Sequence, residues 1–147
     1  MSQYFRFVRF AIIWLVVFMI GRLVLGATGV PYATGTMIFS MVVFCNIASL
    51  IYGGFSRGYG YKWHEGLRVG TAIGLSGQIL ILLATVVSYL LGAETYFNHP
   101  TALNVEAAIP LTQALGVRFF GLVVNTIVNS IVALIGWAMG NLMPARS

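Results

Sequence analysis

Residues 69–93 read VGTAIGLSGQILILLATVVSYLLGA, a run with no Lys, Arg, Asp or Glu. A hydrocarbon core of about 30 Å is crossed by roughly 20 apolar residues in a helix, and this stretch exceeds that. Its apolar positions do not alternate with polar ones, so it does not read as a strand of a membrane β-barrel. Two other long stretches lack these four residue types, Leu23–Ser56 and Phe119–Ala145. Together they predict an all-α integral membrane protein.

The whole chain agrees with that stretch. Its 147 residues are 59% hydrophobic and 7% charged, with mean hydropathy +0.92. Soluble domains carry about 25% charged residues, and apolar content this high and this evenly spread excludes disorder. One cysteine, Cys45, excludes a disulfide framework within the chain and any CxxC redox or zinc site.

Four spans are expected, at about residues 7–26, 34–54, 69–91 and 117–140, forming a four-helix bundle in a single membrane domain over 1–147. The first has twelve residues between Arg9 and Arg22, so it spans only if Arg22 lies near its far end. A signal peptide is the competing reading, but the apolar run is long for an h-region and Arg22 interrupts the cleavage zone. Gly29 and Pro31 mark a tight first turn. The second link, Phe55–Leu67, is basic and aromatic. The third, residues 92–115, is expected to hold a short interfacial helix around Thr101–Ala108.

Charge sets the expected orientation. With both termini and the second link cytoplasmic, Arg6, Arg9, Arg57, Lys62, Arg68 and Arg146 lie inside and only Arg22 and Arg118 outside. The expected location is a prokaryotic inner membrane, crossed several times. The excess of cations follows from this topology, so a net charge of +5 does not point to nucleic acid.

No Asp, Glu, Lys or His falls near the middle of a span. Proton-coupled transport needs a group there that changes charge, and intramembrane hydrolysis needs a nucleophile with a base or metal ligands. The polar residues that do enter are mostly amides: Asn46, Gln78, Asn125 and Asn129. At 100° per residue, Asn125, Asn129, Gly136 and Gly140 share one stripe, which Arg118 begins and Ala133 continues. Thr71, Gly74, Gln78 and Thr85 share a face of the third span, and Asn46, Ser49 and Gly53 one of the second. Two readings compete. In one, the pairs Gly70–Gly74 and Gly136–Gly140 let helices approach and the amides bond across them. In the other, the amides line a path or pocket for a small polar solute.

Arg22 and Arg118 allow a similar choice. They snorkel to lipid phosphate or pair with Glu94 or Glu106, or else they form a mouth that attracts anions. Arg57, Tyr59, Tyr61, Lys62, Trp63, His64 and Arg68 describe an inner interface anchor, with partner docking as the alternative. His64 and His99 fall on opposite sides, so they cannot share a metal or haem, and no cofactor is expected. Cys45 reads as a small buried hydrophobe.

Three functions follow. The leading one is a non-catalytic subunit of a membrane complex, or a homo-oligomer, with the bilayer and other membrane helices as partners. The alternative is a small oligomeric channel or facilitator for a neutral or anionic solute, lined by the midplane amides. The third is a lipid- or quinone-directed enzyme using His64–Glu65 or His99–Glu106 in the loops.

Overall fold

The computed structural model describes residues Met1–Gly140; Arg146, counted above among the inner cations, lies outside the described residues. Every element among the described residues is a helix: α1 (Ser2–Phe7), α2 (Arg9–Ala27), α3 (Tyr32–Ile38), α4 (Met41–Gly58), α5 (Trp63–Leu90), α6 (Pro100–Leu103) and α7 (Leu111–Met139). Four segments are long and apolar enough to cross a membrane: α2, α3 with α4, α5, and α7.

Three of these segments stop in the same way. After α2, α4 and α5 the chain places Gly29, Gly60 and Gly92 at φ +77°, +81° and +60°. In each case the next residue's N–H reaches back to a helix carbonyl: Val30 to Leu25, Tyr61 to Ser56, Ala93 to Ser88. This left-handed closure satisfies carbonyls that the helix end would otherwise orphan, and glycine adopts it without strain.

The second span departs from the unbroken helix expected over 34–54. Helix α3 ends at Ile38 and α4 begins at Met41, with Phe39 (φ −124°, ψ 61°) and Ser40 (φ −80°, ψ 99°) out of helical conformation. The break survives because its polar groups find partners. Arg22 Nη1 donates to the Phe39 carbonyl at 3.1 Å, and the Ser40 hydroxyl accepts from Val43 N at 3.5 Å to cap α4.

Three other boundaries move. The link expected over Phe55–Leu67 shrinks to the turn Tyr59–Lys62, because Glu65 Oε2 accepts the Lys62 N–H at 2.9 Å and starts α5 early. Helix α7 begins at Leu111, directly after Pro110, where a missing N–H costs nothing. The helix expected around Thr101–Ala108 is a single turn, Pro100–Leu103, stopped by left-handed Asn104 at φ 54°.

Helices α4, α5 and α7 form the most extensively packed group, and α2 meets α5 and α4 more sparingly. The buried apolar side chains include Leu15 from α2, Met41 and Cys45 from α4, and Val69 and Ile73 from α5. The opposite faces of α2 and α7 carry exposed rows, among them Phe10, Trp14 and Val17 on one and Phe120, Val123 and Ile127 on the other. An apolar surface of that kind suits lipid or another helix, not water.

Candidate functional site: an arginine-lined cavity and the amide stripe

The glycine and amide stripe of α7 turns toward α4 and α5. A Cβ on Gly136 would collide with the Leu50 carbonyl, and one on Gly53 with the Ala133 carbonyl. A Cβ on Gly70 would lie 2.7 Å from Ala133 Cβ, and one on Gly74 2.9 Å from Asn129 Cβ. Gly140 rests against Gly54 and Arg57. Both glycine pairs read from the sequence are therefore used inside the chain, where they let backbones approach.

Asn129 is 1% exposed. Its Oδ1 accepts from Ser49 Oγ at 2.7 Å, and its Nδ2 donates to the Asn125 carbonyl at 2.8 Å. Thr71 and Ser130 share a hydrogen bond of 2.9 Å beside it. Asn125 Nδ2 donates back to the Gly121 carbonyl at 2.9 Å, and Gln78 approaches from α5 on the same side of Gly121. Asn46 is half-buried with an Oδ1 that has no partner, as has the Thr126 hydroxyl. Gln78, Asn125 and Asn129 thus sit where α5 and α7 meet, and the Asn129 cluster closes the α4–α5–α7 junction.

The inner anchor residues divide. Tyr61 is half-buried, edge-on to Tyr4 at 6.1 Å and close to Phe7 at 5.5 Å, and its carbonyl accepts from Trp137 Nε1 at 2.7 Å. Arg57 stacks over Trp137 at 4.4 Å. Arg68 Nη1 donates to the Tyr4 hydroxyl at 3.3 Å, which in turn donates to Glu65 Oε1 at 3.2 Å. These groups tie the chain's first turn and the end of α7 to the Tyr59–Lys62 turn. Tyr59, Lys62 and Trp63 are exposed there, and Trp63 meets His64 edge-on at 5.7 Å.

At the other end of the molecule, Arg22 and Arg118 bond to backbone carbonyls and a hydroxyl, and among the described residues neither pairs with a carboxylate. Glu94 and Glu106 are exposed, whereas Arg22 is 9% exposed. Arg118 Nε donates to Thr85 Oγ1 at 3.0 Å, Nη1 to the Ala102 carbonyl at 3.1 Å, and Nη2 to the Phe97 carbonyl at 2.6 Å. Arg22 lies within 6 Å of the ring centres of Tyr32, Tyr96 and Phe97. The long loop folds down onto this pair. Tyr96 donates to the Val30 carbonyl at 2.8 Å, Ser88 and Thr95 share a bond of 2.7 Å, and Thr95 and Tyr96 rest against Gly26.

Between the two guanidiniums lies a partly open cavity of about 180 Å³. Tyr32, Thr36 and Ser40 are polar residues of its wall, and Met41, Val42 and Ile81 are apolar ones. His99 stands beside it, stacked on Tyr32 at 4.7 Å, with Nδ1 accepting the Thr101 N–H at 3.2 Å. That nitrogen is held by the α6 cap, so His99 serves local structure here.

Sequence reading singled out both arginines but not the cavity wall. Tyr32, Thr36 and Ser40 reach it because the second span breaks at Phe39–Ser40. The one local sign of that break is Ser40, a capping residue type in front of an apolar run. Among the described residues, no group of three or more His, Cys, Asp or Glu is placed to hold a metal.

The chain matches no protein-family model, no curated protein and no solved structure. Its function is therefore argued from its own geometry.

Proposed function

We propose that the chain is a small multi-pass protein of the cell's inner membrane, with both termini cytoplasmic, that acts without catalysis. It works as a subunit of a larger membrane complex or as a homo-oligomer, with lipid and other membrane helices as partners. The observation that carries this reading is the burial of Asn129 in a bond with Ser49. The amide stripe serves helix packing, which takes away the lining that a solute path along it would need. The glycine pairs are used within the chain too, so the surfaces left for association are the apolar outer faces of the helices, those of α2 and α7 among them.

Purification in mild detergent followed by native mass determination tests the proposal. A defined oligomer or co-purifying membrane partners are expected, and a stable solitary monomer overturns it. The channel reading has its own check. Replacing Asn125 and Asn129 by leucine abolishes flux into proteoliposomes if these amides line a path, and leaves it unchanged if they only pack.

A further inference from the structure

The cavity at the loop end is built from three sources of positive potential. Arg22 has five N–H groups and uses one, to the Phe39 carbonyl; its Nε is buried with no partner. A charged side chain nine-tenths buried, with a donor left unmet, is costly in any protein interior. Arg118, across the cavity, uses three of its five N–H groups on Thr85, Ala102 and Phe97. The third source is the start of α4. An 18-residue helix begins at Met41, Met41 and Val42 line the cavity, and the first N–H groups of a helix have no intrahelical acceptor. That end carries about half a positive charge.

The break in the second span completes the case. Non-helical backbone at membrane depth is tolerated where it is buried in protein or lines a cavity. Half-helix ends at such breaks form ion and substrate sites in membrane proteins. Helix α3 has seven residues, which puts the break about 10 Å in from the start of that segment. Two cations and a helix N-terminus therefore face one space, and among the described residues no carboxylate neutralises either cation.

The geometry points to an oxyanion site, and specifically to one for a phosphoryl group. Arginine forks match phosphate and carboxylate alike, but the donors here outnumber what one carboxylate accepts. They comprise the Nη N–H groups of both arginines that no protein acceptor takes, the N–H groups of Met41 and Val42 at the start of α4, and the hydroxyl-bearing residues Ser40 and Tyr32 of the lining. A tetrahedral phosphoryl group offers more oxygens and up to two negative charges to meet them. The volume, about 180 Å³, falls below the roughly 300 Å³ at which pockets for drug-sized ligands begin. It holds a headgroup-sized anion, with Met41, Val42 and Ile81 beside it for the first carbons of an attached chain. The phosphoryl group comes from a lipid headgroup or from free phosphate.

The test uses delipidated full-length protein in a neutral maltoside, with thermal unfolding as the readout. The probes are inorganic phosphate, dihexanoyl phosphatidylglycerol, dihexanoylglycerol with the same tails and no phosphorus, and acetate at equal ionic strength. A phosphorus-bearing probe is expected to raise the melting temperature saturably, and neither control to do so. Response to inorganic phosphate identifies a free-anion site; response to the phospholipid alone identifies a headgroup site. Arg22→Gln should weaken the response about tenfold or more, the loss of a charge-assisted fork. Ala102→Leu, which keeps both guanidiniums and fills the cavity, should weaken it as well. Independently of any variant, phosphorus added to ¹⁵N-arginine-labelled wild-type protein should dephase guanidinium signals in solid-state NMR. The assignment is overturned if no phosphorus probe binds, if acetate binds equally well, if both variants bind like the wild type, or if no dephasing occurs.

Discussion

The two ends of this molecule are held together by opposite means. Along α4, α5 and α7 the contacts form where side chains are missing: Gly53 under Ala133, Gly136 over Leu50, Gly70 and Gly74 beside Asn129. Backbones meet there with little polar content beyond the Asn129 cluster. At the loop end the contacts form through long charged side chains, Arg22 holding the broken second span and Arg118 holding Phe97 and Ala102 of the loop. The first device leaves no room for anything else, and the second leaves a cavity. Rigidity and accessibility are thus divided between the ends, and a binding role belongs to the arginine end.

The strongest challenge to this contrast is a side chain at Gly136. Gly136→Leu drives atoms into the Leu50 carbonyl and should cost about 3 kcal/mol, as overpacking does when neither backbone can yield. Detergent-titrated unfolding followed by circular dichroism measures it, and a loss under about 1 kcal/mol would mean the α4–α7 seam is loose. Next in size is Arg118→Met, which leaves the Ala102 carbonyl without a donor and the Phe97 carbonyl with only the 3.4 Å bond from Thr85, and should cost about 2 kcal/mol. Here the loss should be local. Protease cleavage within residues 91–110 should rise while α4, α5 and α7 stay protected, and uniform cleavage would erase the distinction between the ends.

Asn129→Leu should cost about 1 kcal/mol, in the range for hydrogen bonds between membrane helices. Ser49→Ala added to it should cost little more, because the two share one bond; additive losses in the double-mutant cycle would place their contributions elsewhere. The smallest effect has the opposite sign. Gly116 lies inside α7 with nothing within 4 Å of a built Cβ, so Gly116→Ala should stabilise by about 0.5 kcal/mol. A penalty there would reveal a partner on that face and would strengthen the oligomer reading.

Much of this arrangement was legible in the sequence because a bilayer asks simple questions of it. Charge-free runs located three of the four apolar segments, with the first read between Arg9 and Arg22, and helical spacing grouped Asn129, Ala133, Gly136 and Gly140 on one face. The break at Phe39–Ser40 was hidden because no glycine or proline marks it and the apolar run continues through it. It is maintained by Arg22, 17 residues away, and such tertiary stabilisation leaves no local trace beyond the capping type of Ser40. The basic second link misled for a related reason. Gly53 and Gly54, which border it, are helical and buried, present because α7 needs to come close. The arginines were identified, but carbonyl partners on a loop cannot be assigned from composition. Pairing with Glu94 or Glu106 was the natural expectation and the fold did not adopt it.

Cys45 gives the α4–α5 seam a further property. The chain has one cysteine, 1% exposed, with its Sγ against Gly77 of α5. A thiol reagent can reach it only when α4 and α5 separate, so its modification rate counts opening events at that seam in the unmodified protein. The molecule carries a built-in clock for its own breathing. Read with and without phosphate, that clock reports whether an anion held in the cavity steadies the α4–α5 seam one turn away.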